Sequence, residues 1–245
     1  MARRNPEWDV HLLDEAAARE LLADFPLPID QMPAQAISDV VRCNLLAHGG
    51  GVWADASVLP LVPASAWLER MSEPGGFFAF ASPAPDRPIS SWLLAAEADS
   101  RLMQLWWEAV QTYWSRPRQL ATVAGEPIFI PTDPVASVSP PHSPPGSGYP
   151  YFWFHYLFRW LIETNSEAAD LWSQVPRMSA NGPQQLHKHI QARPDAQEAE
   201  LLAPIAGIPI QKLDWRDPYP VDRLARAVSA PYPPMPKLHG NMQFD

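Results

Sequence analysis

Between residues 37 and 58, in ISDVVRCNLLAHGGGVWADASV, stand Asp39, Arg42, Trp53 and Asp55, side chains whose types and spacing suit an oxygen-rich ligand. Asp39 and Arg42 are three apart, so on a helix they project from one face. Asp55 follows a triple glycine and a short apolar run. Alternation along an extended segment puts Trp53 and Asp55 on one side and Val52 and Ala54 on the other. The carboxylates suit sugar or ribose hydroxyls or a divalent cation, and the arginine suits sugar or phosphate oxygens. In open α/β sheets ligands bind beyond the carboxyl ends of strands, which is where Asp55 falls. The plainer reading is a surface Asp39–Arg42 ion pair, worth ~0–1 kcal/mol, with Trp53 as a core residue.

Other chemistry-bearing residues carry less. Cys43 is the sole cysteine, which excludes an intrachain disulfide and a cysteine-rich zinc site. It reads as a small buried apolar residue rather than a nucleophile. His155 lies in the apolar run YPYFWFHYLFRWLI and reads first as a satisfied core histidine. His187 and His189 are two apart, face different sides of a helix and do not read as a metal site. No serine-hydrolase elbow, phosphate-binding P-loop or G-x-G-x-x-G is present.

The positioning elements follow from periodicity. Trp8–Leu13 alternates as a strand, and Asp14–Leu22, acidic and alanine-rich, reads as a helix. After a proline-rich connection over Phe25–Pro33, with Pro33 in the first turn, Ala34–Ala47 is helical, with Ile37, Val40, Val41 and Leu45 on its inner face. His48–Gly51 ends that helix, since glycine accepts the left-handed conformation of a C-cap. Val52–Asp55 and Phe77–Phe80 read as strands. Glu97–Tyr113 is a helix with Leu102, Leu105, Trp106, Ala109, Val110 and Tyr113 on one stripe. Pro131–Gly148 is a Pro/Ser/Gly-rich loop, followed by an aromatic helix over Tyr151–Glu163, a helix over Gln184–Gln191 and a strand over Pro209–Leu213. Strands alternating with helices argue for one α/β domain over residues 1–217, with a proline-rich tail over 218–245.

At 245 residues the chain can bury a full core, and 47% hydrophobic against 18% charged residues is a globular balance. The net charge of −9 argues against nucleic acid or anionic lipid as an overall electrostatic partner. A phosphate-bearing ligand therefore needs local donors or a bridging cation. No segment reaches the ~18 uncharged apolar residues of a membrane span. MARRNPEWDV lacks the apolar stretch of a secretory signal.

SDVVRCNLLAHGGGVWADAS closely resembles the "S-D-x-x-R … L-L … G-G-[VI]-[WY]-x-D-[AT]-[ST]" signature of capsular polysaccharide synthesis proteins. These are glycosyltransferases of the GT-A type, related to mannosyltransferases and glycosylating toxins whose motif ends in D-x-D. Asn5-Pro6-Glu7-Trp8 is similar to the family's "NP-x-[YW]". Phe77–Phe80, Ile89-Ser90-Ser91-Trp92 and Tyr113-Trp114 resemble its central block, and Tyr151–His155 its "YF-x-x-H". Asn181-Gly182-Pro183 and Lys212-Leu213 match weaker C-terminal landmarks.

The resemblance implies a GT-A-like fold, a Rossmann-like mixed sheet flanked by helices. Family members usually begin with an "IPK-x-I-[HW]-x-x-W" strand and helix before "NP", a block not seen ahead of Asn5, so the expected sheet lacks its usual first strand. The implied activity is hexosyl transfer from a nucleotide-sugar donor to a glycan hydroxyl in capsular or surface polysaccharide synthesis. Donor contacts fall to Asp39, Arg42, Trp53, Asp55 and Ser57, acceptor contacts to Ser91 and Trp92, and the catalytic role to Asp55. A divalent cation, Mn2+ or Mg2+, would sit at Asp55. Ser57 stands where D-x-D relatives keep a second, metal-binding aspartate, and a hydroxyl is a weaker ligand. The expected location is cytoplasmic, with peripheral attachment to a membrane carrying the acceptor. The competing class is an inactive, shortened relative that binds carbohydrate or a partner protein.

Overall fold

The computed structural model describes residues 1–26, 30, 32–115, 118–123, 126–131, 151–202, 205, 207–214, 216–219, 222 and 224–226. The first helix, α1 (Glu15–Leu21), is capped by Asp14, whose side chain accepts the Ala17 N–H. Helix α2 (Ala34–Gly49) starts one residue after Pro33, its N-cap, and stops at Gly50 with φ 63°. Strand β1 (Gly51–Ala54) follows at once, then β2 (Val58–Pro60) and the short α3 (Leu68–Ser72). Strands β3 (Phe77–Ala84) and β4 (Arg87–Ala96) form a hairpin leading to α4 (Arg101–Ser115). A second hairpin comprises β5 (Arg118–Val123) and β6 (Glu126–Pro131). Helices α5 (Trp153–Thr164), α6 (Ser166–Gln174), α7 (Gln185–Ala192) and α8 (Glu198–Leu202) precede strand β7 (Ile210–Lys212).

The protein is α/β, built from helices and small antiparallel sheets. The central sheet runs β1-β4-β3, β2 pairs with β7, and β5 with β6. Every ladder among the described residues is antiparallel; Ala81–Ser179 forms an isolated parallel bridge. Alternation along β3 explains the packing. Phe77 and Ala79 join α2, α4, α5 and α6 in the larger core, while Phe78 and Phe80 face Trp67, Leu68, Trp92 and Met178 on the opposite side. A sheet covered on both faces needs apolar residues at consecutive positions, so Phe77–Ala81 of β3 and Trp92–Ala96 of β4 read as unbroken apolar runs. Trp106 of α4 stacks on Phe154 of α5 with ring centroids 4.0 Å apart, pinning those helices over Phe77.

Three expectations are corrected. Trp8–Leu13 is not a strand: Leu12 is 93% exposed, and no described strand edge pairs with the segment. Helix α4 begins at Arg101 rather than Glu97, because the Ser100 N–H bonds back to the Glu97 carbonyl in a turn. Elements β2, α3, β4, β5, β6, α6 and α8 were not expected. Helix α6 opens on Asn165, whose side chain accepts the Ala168 N–H. Residues 132–148 of the expected Pro131–Gly148 loop and 227–245 of the expected tail lie outside the described residues.

Candidate functional site

Helix α2 is buried along Ala36, Asp39, Val40, Arg42, Cys43 and Leu46, so its one charged pair is drawn inside with the apolar face. Asp39 is 2% exposed and Arg42 5%. Burying ions is costly unless each is paired and hydrogen-bonded, and here both are. Arg42 Nη1 lies 3.4 Å from Asp39 Oδ1 and donates to the Ser91 carbonyl at 2.8 Å. Its Nη2 donates to Ser38 Oγ at 2.7 Å and lies 3.5 Å from Asp55 Oδ1, while Nε donates to the Ser38 carbonyl. Asp39 Oδ2 accepts from Gln35 Nε2, which also bonds the Tyr151 carbonyl.

Asp55 stands one residue beyond β1. Its N–H donates to the Trp92 carbonyl at 2.9 Å, and its carbonyl accepts the Val58 N–H, so its backbone is fixed by the sheet on one side and the turn into β2 on the other. Trp53 Nε1 donates to Asp55 Oδ1 at 3.0 Å, and the Arg42 guanidinium lies 5.0 Å from the Trp53 ring centroid. The Asp55 side chain is 30% exposed. The cluster therefore has a closed, salt-bridged base at Asp39 and Arg42 and an accessible rim at Asp55.

Burial pushes the Asp39 carboxyl up to about 7; Arg42 opposes this and Asp55 adds to it. Burial, then Asp39, pushes the Cys43 thiol well up, so it is no thiolate nucleophile. His155 is buried and depressed to about 3, first by burial and then by Arg42 and Arg87. It is a neutral base at ordinary pH. Among the described residues its Nδ1 has no hydrogen-bond partner, so within them it is a core histidine but not a satisfied one. His187 Nδ1 instead meets Tyr219 Oη at 2.7 Å.

The structure brings Asp39, Arg42, Trp53 and Asp55 together. Ser91 adds its carbonyl. The Trp92 ring is 8% exposed and stacks on Phe80 in the second core, so at this site Trp92 contributes its carbonyl rather than a sugar-stacking face. Ser57 is engaged from across the chain: Lys212 Nζ on β7 donates to Ser57 Oγ at 2.5 Å and to the Leu213 carbonyl at 2.8 Å. Burial lowers the Lys212 pKa, while Asp55 and Asp214 raise it. The sequence marks Lys212-Leu213 only as a weak C-terminal landmark and gives Lys212 no role, because a single lysine in a short strand does not reveal its partner. Gln35 was missed too, though its place four residues before Asp39 on the same helix face was a readable cue.

A divalent ion at Asp55 would have Oδ2 to bind and would compete with the Lys212 ammonium for the Ser57 hydroxyl. Asp55 Oδ1 is already committed to Trp53 and Arg42, and the Ser57 hydroxyl accepts an ammonium. Among the described residues no three His, Cys, Asp or Glu side chains converge on a common point.

One family model matches this sequence, that of capsular polysaccharide synthesis proteins, over residues 1–123. The matched span holds Asp39, Arg42, Trp53, Asp55, Ser57, Ser91 and Trp92; His155 and Lys212 lie beyond it. No curated protein and no solved structure matches the chain.

Proposed function

We propose that this chain, which belongs to the capsular polysaccharide synthesis protein family, is a glycosyltransferase that uses a nucleotide-sugar donor. The observation that carries the reading is the Arg42 guanidinium, held between Asp39 and Asp55 at the carboxyl end of β1. A buried guanidinium that fixes one oxygen of a half-open carboxylate leaves the other oxygen to accept a ligand hydroxyl, as sugar or ribose binding requires.

In this reading Asp55 Oδ2 accepts a hydroxyl of the donor sugar or ribose, while Trp53 and Arg42 fix the other oxygen. In transfer the bond from the anomeric carbon to the diphosphate breaks, with its electron pair leaving on the diphosphate. A new bond forms to the acceptor oxygen, whose proton passes to an oxygen of the departing diphosphate. Catalysis comes from positioning the two substrates and from stabilising charge on the leaving group. A GT-A relationship is supported by the motif spacing and by Asp55 lying just past a strand end beside a helix. The same reading puts the enzyme in the cytoplasm, peripheral to a membrane that carries its glycan acceptor; no helix among the described residues is long and apolar enough to cross one.

Calorimetric titration with UDP- and GDP-sugars in the presence of Mn2+ tests the reading. Saturable binding is expected, and its absence for every donor tried favours a carbohydrate-binding or partner protein over an enzyme.

A further inference from the structure

We propose that the Lys212 ammonium is the cation that meets the donor's diphosphate, in the position beside Ser57 where a bridging metal ion would otherwise be needed. The inference rests on the donor-site reading above and adds to it a residue that lies outside the family-matched span.

The geometry carries it in three steps. First, Lys212 is held firmly. Strand β7 pairs with β2 so that Lys212 faces Val58, and the Leu213 N–H donates to the Ser57 carbonyl at 3.0 Å. The backbone that carries Ser57 thus also carries the lysine. Second, the ammonium is only partly used. It has three N–H donors, of which two go to Ser57 Oγ and the Leu213 carbonyl, and no carboxylate among the described residues pairs with it. One N–H is left for a ligand. Third, the neighbouring cation cannot do this work alone. Arg42 spends its donors on Ser38 and Ser91 and its charge on Asp39 and Asp55. Lys212, whose ammonium bonds Ser57 two residues beyond Asp55, is a second positive charge beside this rim.

A divalent ion and the ammonium are mutually exclusive at Ser57, since both need the hydroxyl oxygen and like charges repel at that range. When the donor's anomeric bond breaks and the electron pair moves onto the diphosphate, Lys212 stabilises the leaving oxygens by hydrogen bonding and charge. No proton transfer from it is required.

The test is calorimetric titration of the full chain with UDP, GDP, ADP, CDP and dTDP, in EDTA and separately in Mn2+. The proposal expects at least one of them to bind in EDTA as tightly as in Mn2+. Lys212→Met should weaken that binding by about tenfold or more, the worth of one charge-assisted hydrogen bond. Lys212→Arg should restore most of the affinity. Thermal melts of each variant show whether the fold is intact, and Lys212→Arg carries the test if Lys212→Met does not fold. Ser57→Asp combined with Lys212→Met should recover binding only when Mn2+ is added. Wild-type binding that requires Mn2+ overturns the lysine assignment and leaves the glycosyltransferase reading standing. Binding in EDTA that a folded Lys212→Met leaves unchanged does the same. Failure of all five diphosphates under both conditions overturns both.

Discussion

Arg42 Nη2 stands 3.5 Å from Asp55 Oδ1, so a single guanidinium ties the buried face of α2 to the loop beyond β1. The same group reaches Asp39 at 3.4 Å and the Ser91 carbonyl at 2.8 Å. Removing it strands one fully buried carboxylate and one partly buried carboxylate. Arg42→Met is expected to cost about 3–5 kcal/mol of folding stability, the range for breaking a buried pair from one side. Urea unfolding measures it. A cost below about 1 kcal/mol would mean that the pair behaves like an exposed one.

The pH dependence of stability follows from two buried groups with opposite signs. Asp39 titrates at about 7 in the folded chain, against about 4 when unfolded. Across that window the folded chain holds a proton the unfolded chain has released, so stability falls as pH rises. His155 titrates at about 3 when folded, against about 6.5 when unfolded. There the unfolded chain takes up a proton the folded one refuses, so stability falls as pH falls. The wild-type profile is therefore flattened where the two windows overlap.

Asp39→Asn removes only the first slope. Its stability relative to wild type should rise by a few kcal/mol between about pH 4 and pH 8. Denaturant titrations at several pH values read this directly, and a pH-independent difference between the two proteins contradicts the assignment.

Gly50 sets the handover from helix to strand. It has φ 63°, and a Cβ there would lie 2.6 Å from the Ala98 nitrogen and 2.7 Å from the Glu97 carbonyl carbon, both backbone atoms. Gly51 also has positive φ, at 93°, but a Cβ there meets nothing within 4 Å. Gly50→Ala should therefore destabilise more than Gly51→Ala, which pays only the backbone strain of about 1–3 kcal/mol. Gly50→Ala should also weaken donor binding, because relieving the clash with the Glu97–Ala98 backbone must displace the α2–β1 junction that places Asp55. Paired thermal melts and titrations of the two variants test the ranking; equal losses would contradict it.

What was legible in the sequence was local. Asp39 and Arg42 share a helix face by their spacing, and a glycine turn then brings Asp55 back within a few ångströms of them. Lys212 was not legible, because its contact with Ser57 spans 155 residues and depends on the β2–β7 pairing. Trp8–Leu13 has a strand's alternation, but a strand exists only where an edge accepts it. Strand β4 has the reverse problem: buried on both faces, IleSerSerTrpLeuLeu shows no alternation to read. Trp92 could not be told from a ligand-facing aromatic until its stack on Phe80 was seen.

Nucleotide-sugar turnover by wild type and Asp55→Asn, at matched thermal stability, tests the central claim most directly. The account predicts that wild type releases nucleoside diphosphate from a UDP-, GDP-, CDP- or dTDP-sugar. It predicts that Asp55→Asn lowers kcat/KM by about a hundredfold or more, with little change in melting because the side chain is partly exposed. A folded Asp55→Asn protein that turns over donor as fast as wild type would contradict it.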